Sequence, residues 1–389
     1  MNRMDMKQVK KLLLKYHLPL GLFAGVLFGY LVPKPGEFLA DLDSGFYGMG
    51  ISSLDIFIIF LISGLKLKTD DVKKALTSYR ALIYGVFAIL CITPCAAFGL
   101  VRLDGNLSVP EFAFGIAVFA LMPTTLSSGV ILTRDANGNV PISLMLTVVT
   151  NLSAVLILPF TIDLVFSSVE GLNVSIDPVP MIVKLLLSIL VPLCIGKVLR
   201  DSVVEIAEFA NTHGVKLKLF SSFCLVMVPW MKVSSSSDEM SQIDTSGIFE
   251  ILGLGIALHL VYLIMNFTFV NALGFELDAK KSIVIMCSQK TLPVAVAIID
   301  FLPSKSGDEG YLGEPGIMVI ACILAHFVQI VIDAFVASYW SSIKDDDNKN
   351  DNKDIVVTDI VPDGPSKGNN SEDSGGLEMM ASSPTKVTV

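Results

Sequence analysis

The sequence predicts an all-α polytopic membrane protein, and three observations carry that prediction. Mean hydropathy is +0.67, with 52% of residues apolar and 17% charged, far from the balance of a soluble domain of this length. Apolar runs of membrane-crossing length recur ten times. Two of those runs are interrupted near their centres, by Met122-Pro-Thr-Thr-Leu-Ser-Ser-Gly129 and by Cys287-Ser-Gln-Lys-Thr-Leu-Pro-Val294.

A helix needs about 20 apolar residues to cross roughly 30 Å of hydrocarbon. Runs near that length extend from Leu18 to Val32, Gly45 to Leu65, Ala81 to Val101, Phe112 to Thr133 and Val140 to Phe166. The remainder are Met181 to Val198, Leu219 to Val233, Ile248 to Leu273, Ser282 to Leu302 and Gly316 to Trp340. The first and seventh are short. With ten spans and the tail left aside, one set of loops together with the N-terminal segment holds 17 Lys and Arg and the other only 5. That asymmetry predicts both termini in the cytoplasm.

The chain therefore divides into a cytoplasmic N-terminal segment, residues 1–17, a ten-helix membrane domain, 18–343, and a tail, 344–389. The tail is rich in Asp, Ser, Gly and Asn, and it predicts a disordered cytoplasmic extension. Tail and outer loops supply much of the net charge of −9, so the chain offers nothing for nucleic acid. The basic, polar N-terminus resembles neither a signal peptide nor a transit peptide. Cys91, Cys95, Cys194, Cys224, Cys287 and Cys322 lie in or beside the spans without a Cys-x-x-Cys pair, which predicts small core residues.

Lipid forbids unpaired backbone, so a broken helix at bilayer depth must be buried in protein or line a polar cavity. Two such breaks point to a shared internal site. Pro123 and Pro293 are 170 residues apart, and the spans around them fall into two sets of five, residues 18–166 and 181–340. Five is odd, so the second set would sit upside down, an inverted 5+5 repeat. Ser143, Thr147 and Asn151 share one face of the fifth span, and His326, Gln329 and Asp333 share one face of the tenth. Both stripes are predicted to face the breaks, which also carry Thr124, Thr125, Ser127, Ser128, Gln289, Lys290 and Thr291.

Lys290 is the sharpest residue. A lysine at mid-span costs at least about 2.5 to 3.5 kcal/mol, so it demands water or a partner. One reading is a structural ion pair with Asp55 or Asp333. The other is a fixed cation or a proton carrier. His259 reads as a packing and hydrogen-bonding residue, and Asp55, Asp163, Asp300, Glu250 and Lys184 as snorkelling or capping groups.

These stretches resemble the bile acid:sodium symporter (SBF-like) superfamily, in the branch typified by sodium/bile acid cotransporter 7. The residues that carry the resemblance are Phe60-Leu-Ile-Ser-Gly-Leu-Lys-Leu-Lys-Thr69, Leu121 to Arg134, Gly138-Asn-Val140 and Ser288-Gln-Lys-Thr-Leu-Pro293. The resemblance implies a panel domain from spans one, two, six and seven, and a core domain in which discontinuous helices four and nine cross. It implies sodium ligands at Ser128, Ser143, Thr147 and Gln289. The family's span-four Asn position holds Gly129, its span-nine Glu position holds Ile285, and Lys290 stands where relatives have Asn.

Expected function is a secondary carrier for a small organic anion, with membrane lipid and that solute as partners. No cofactor is implied beyond a coupling ion, sodium or proton. Losing a carboxylate and adding an ammonium opposes sodium binding. The alternative is a regulator of calcium entry or secretory-pathway ion balance, working through calcium-channel or secretory-pathway partners. Neither a charged ring or filter repeat of a channel nor a nucleophile-and-base motif of an enzyme occurs. A eukaryotic plasma membrane or secretory-pathway membrane is expected, with a plastid envelope as alternative.

Overall fold

The computed structural model describes residues 6–42, 50–70, 73, 78–125, 128–169, 177–241, 243–302 and 312–343, with side chains from His17 onward except Pro19. The expected tail, 344–389, lies outside these residues.

Among the described residues the fold is helical throughout. Its elements are α1 Met6–Leu31, α2 Pro33–Ala40, α3 Ile51–Lys66 and α4 Tyr79–Leu103. Next come α5 Pro110–Leu121, α6 Ser128–Asp135, α7 Val140–Phe166, α8 Pro178–Ser202, α9 Val204–Thr212 and α10 Gly214–Ser235. A short α11, Ser237–Met240, leads to α12 Thr245–Ala272, α13 Leu277–Ser288, α14 Leu292–Phe301 and α15 Pro315–Ser341. Seven stretches are long and apolar enough to cross a membrane, counting Leu277–Phe301 as one, and Leu20–Leu31 and Pro110–Leu121 are shorter apolar helices.

Starts of these helices follow local chemistry. Asn139 accepts from the Ile142 N–H at the head of α7, at 3.2 Å, and Asp177 accepts from the Val179 N–H at the head of α8, at 3.0 Å. Proline occupies the first turn of α2, α5, α7, α8 and α15, where its missing N–H leaves no bond unmade. The first helix starts at Met6 rather than at the apolar run, because the lysine-rich segment before it is itself a good helix former. α4 is irregular: a π turn spans Ala88–Ile92 and a 3₁₀ turn spans Thr93–Ala96. Pro94 supplies no N–H and crowds the preceding turn, and the helix widens around it. Thr93 Oγ1 donates to the Ala88 carbonyl at 3.0 Å within that turn.

α1 and α2 lie on α10, while α3 lies on α8 and α10. α3 and α8 meet backbone to backbone at Gly64 and Gly196. A Cβ on Gly64 would stand 2.2 Å from the Leu193 carbonyl oxygen, and one on Gly196 would stand 2.2 Å from that of Leu61. On the other side α5, α12 and α14 pack against α15, and α13 packs against α12, α7 and α6. At the head of α7, Asn139 donates to Asp278 Oδ2 at 2.9 Å. At its far end Arg102 donates to the Ser168 carbonyl at 3.2 Å.

The expectation of six core cysteines needs correction. Cys224, Cys287 and Cys322 are buried, but Cys91, Cys95 and Cys194 are exposed on outward helix faces. Cysteine behaves as a small apolar residue, and in a membrane protein that suits a lipid-facing surface as well as a core.

Candidate functional site

Both breaks form where the sequence interrupts the helices, and they cross. Pro123 disfavours helical backbone at the residue before it. Met122 is accordingly extended, at φ −63° and ψ 151°. Gln289 and Thr291 are extended at φ −88°, after which Pro293 sits in the first turn of α14. Main chain joins main chain there, as Thr291 N donates to the Pro123 carbonyl at 2.9 Å.

Carbonyls freed by the breaks are answered by side chains. Thr124 Oγ1 donates to Met286 O at 2.5 Å, Asn151 Nδ2 to Thr124 O at 3.0 Å, and Thr147 Oγ1 to Thr125 O at 3.1 Å. Buried backbone that loses its helical partner needs such replacements, at about 1–3 kcal/mol for each group left bare. Thr125 Oγ1 also caps α6 by accepting from Gly129 N at 2.8 Å.

Gln289 and Lys290 are adjacent and serve different networks. Gln289 Nε2 donates to Asp333 Oδ2 at 2.6 Å, while its Oε1 accepts from Thr125 Oγ1 at 3.0 Å and Ser128 Oγ at 3.4 Å. Asp333 Oδ1 also meets His259 Nε2 at 2.9 Å, and His259 Nδ1 meets the Ser288 carbonyl at 3.2 Å. The Lys290 peptide is held at both ends by one amide: its N–H donates to Gln329 Oε1 at 3.0 Å, and its carbonyl accepts from Gln329 Nε2 at 2.7 Å. Gln329 Nε2 lies 2.8 Å from His326 Nδ1, and the His326 ring stands edge-on to Phe119 at 6.3 Å.

Lys290 is 1% exposed, and its ammonium points into a cage of neutral oxygens. It donates to Thr93 Oγ1 at 2.8 Å, to Met122 O at 2.9 Å and to Ile89 O at 3.5 Å. The ring of Tyr262 lies 5.6 Å away. This corrects the ion-pair reading: Lys290 bonds to neither Asp55 nor Asp333, and the Asp333 carboxylate is held by His259 and Gln289.

Of the residues expected to converge, Thr124, Thr125, Ser128, Thr147, Asn151, Gln289, Lys290 and Thr291 meet at the crossing. Ser143 sits nearby but gives its hydroxyl to Thr133 Oγ1 at 2.9 Å, and His326 reaches the crossing through Gln329. Ser127 lies outside the described residues. Asn151 Oδ1 and Thr291 Oγ1 are buried without a hydrogen-bond partner, two open valences at the crossing. Thr93 was not anticipated. Its signal, Thr93-Pro94 inside an apolar span, was present but carried no charge to mark it.

The oxygens assigned to sodium all bond to protein groups. Ser128 and Gln289 touch, but Ser143 and Thr147 donate elsewhere. Ile285 packs with Leu132, Ala136 and Ala337. At Gly129 an added Cβ would stand 2.7 Å from Met286 Sδ and from Thr125 Oγ1, so a ligand side chain there would have to displace both.

The sequence that carries these breaks matches a known group of carriers. The sequence profile of the SBF-like CPA transporter family covers residues 17–342. The chain belongs to that family. A protein of Arabidopsis thaliana named "Probable sodium/metabolite cotransporter BASS4, chloroplastic" is 34% identical over 330 residues, 83% of this chain and 72% of that protein. Its namesake in Oryza sativa subsp. indica is 32% identical over 333 residues, 83% of this chain and 75% of the relative. Sodium/bile acid cotransporter 7 of Mus musculus is 23% identical over 253 residues, 64% of this chain and 72% of that protein. An SBF-like chain is a membrane transporter rather than an enzyme, and it works among lipids on a small solute.

Proposed function

We propose that this SBF-like transporter is a secondary carrier of a small organic anion or metabolite, and that its cycle does not require sodium. The observation that carries this is the buried Lys290 ammonium, which bonds to neutral oxygens and to no carboxylate among the described residues, while Ile285 fills the position where the family resemblance implies an acid. A fixed positive charge in a dry site opposes a second cation and favours an anion. The N-termini of α6 and α14 open at the same breaks and add positive potential. Asn151 Oδ1 and Thr291 Oγ1 are proposed to contact the solute.

Ten crossings arranged as an inverted repeat form part of this reading. The pairing of broken α5–α6 with broken α13–α14, and of polar α7 with polar α15, supports it. So does the packing of α1, α3, α8 and α10 mainly on one another, as a panel beside a core. Cytoplasmic termini follow from the lysine and arginine distribution. A plasma or secretory-pathway membrane is the first assignment, and the chloroplastic relatives raise the plastid envelope as its alternative.

Proteoliposomes test the reading. Labelled lactate, malate and taurocholate sample small, doubly charged and amphipathic anions. Saturable uptake of at least one, unchanged when N-methylglucamine replaces sodium, is expected. Steep, saturable stimulation by millimolar sodium at constant pH and membrane potential would overturn sodium independence. No uptake or exchange of any of the three would overturn the anion assignment.

A further inference from the structure

We infer that Lys290 is a tethered monovalent cation. Its ammonium fills a cation site built from neutral oxygens and an aromatic face, and that site would accept a free ammonium-sized ion if the side chain were cut back. Three acceptors surround Nζ: Thr93 Oγ1 at 2.8 Å, Met122 O at 2.9 Å and Ile89 O at 3.5 Å. An ammonium has three N–H bonds to give, one to each. A neutral amine has only two, and its lone pair would face an oxygen. Thr93 Oγ1 spends its own proton on the helix behind it, at Ala88 O, so its lone pairs are free to accept. Tyr262 completes the enclosure with its ring 5.6 Å from Nζ, an arrangement that attracts cations.

The site is assembled from otherwise separate parts of the chain. Met122 O is the carbonyl just past the end of half-helix α5, the negative pole of its dipole. Ile89 O comes from the π turn of α4, and Tyr262 comes from α12, where its hydroxyl donates to Thr93 O at 2.8 Å. Lys290 itself belongs to the break between α13 and α14. One positive charge thus ties α4 and α5 to the second break, as a free ion would, but tethering fixes its local concentration whatever the surrounding medium contains. Lys290 is on this view a positioning residue for the crossing. Its relevance to coupling rests on the carrier reading above, but its test uses no transported solute, so the two stand or fall separately.

Thermal unfolding of the full-length protein in detergent supplies that test. Lys290→Ala should lower Tm by on the order of 5 °C, and ethylammonium chloride should restore it saturably. Choline chloride at equal ionic strength, too large for the cage, should not. Wild type, whose cage is full, and Lys290→Met, whose side chain fills it, should not respond to ethylammonium. Absence of recovery, equal recovery with choline, or the same response in wild type would overturn the inference. Should Lys290→Ala fail to fold, a double-mutant cycle decides. Thr93→Val should lower Tm in wild type and leave it unchanged in Lys290→Met, whereas additive losses would mean that the cage and the charge are not coupled.

Discussion

The crossing and the α3–α8–α10 side of the molecule are both helical and apolar, yet they cohere by opposite means. The stretch Leu277–Phe301 has its most apolar window wholly inside the protein, whereas only 28% of the corresponding window of Gly214–Ser235 is buried. At the crossing, side chains of α7, α12 and α15 complete a backbone that helices leave unfinished. On the other side the helices run through without a break, although α8 holds a π turn at Leu186–Leu190 and α10 an internal Pro229, and Gly64 and Gly196 bring two backbones into contact while Phe220 and Phe223 face outward. Lipid gives no hydrophobic reward for pressing two apolar helices together, so close approach must hold them. Broken backbone must instead be buried among donors.

The sharpest way to break this comparison is to add bulk at the glycine contact. Gly64→Leu should cost about 3 kcal/mol or more, because the obstacle is a backbone carbonyl that cannot turn aside. Gly253→Ala, with nothing within 4 Å of its added carbon, should be silent. Yield of monodisperse protein and Tm measure both, and equal behaviour of the two would refute the contact. Next in size is Asp333→Val, which leaves His259 and Gln289 without their acceptor inside the protein. At about 1–3 kcal/mol for each stranded group, a loss near 3 kcal/mol is expected, and a benign result in chemical denaturation would mean that the network carries little. Gln329→Leu should cost about 2 kcal/mol by freeing both ends of the Lys290 peptide. It should also abolish uptake in proteoliposomes, so full transport in this variant would separate the clamp from function. Smallest is Phe335→Leu at a side chain 74% exposed, which should stay within about 0.5 kcal/mol of wild type in the same melt.

How far these features could be read from the sequence differs in the same way between the two regions. Span positions were legible where length and hydropathy carry them: seven described stretches are long and apolar enough to cross a membrane, and the run from Val140 to Phe166 coincides with α7. Both breaks were legible because Pro123, Pro293 and Lys290 are conspicuous in apolar surroundings. The partners of Lys290 were not. Two of them are backbone carbonyls, Met122 O and Ile89 O, which every residue possesses and only geometry singles out. Charge pairing on paper offered Asp55 or Asp333, but a side chain about five turns along α15 can be claimed first by a histidine on another helix, as His259 claims Asp333. The glycine contact was equally silent, since Gly64 and Gly196 stand out only once the partner backbone is in place. Exposed Cys91, Cys95 and Cys194 show that in lipid the same residue type serves inward and outward faces.

The grip of Gln329 on the Lys290 peptide has a mechanical consequence. One side-chain amide there imitates a neighbouring β-strand, giving and taking a hydrogen bond across a single residue, while Thr291 N bonds to Pro123 on the adjoining residue. The crossing is thus a rivet of sheet-like pairing set among helices. A rivet resists shear between the pieces that it joins but leaves them free to travel together. Displacement of α13 and α14 accordingly drags the Pro123 segment and α15 along as one body, and the compliance that alternating access demands falls to the surfaces between that body and the helices around it.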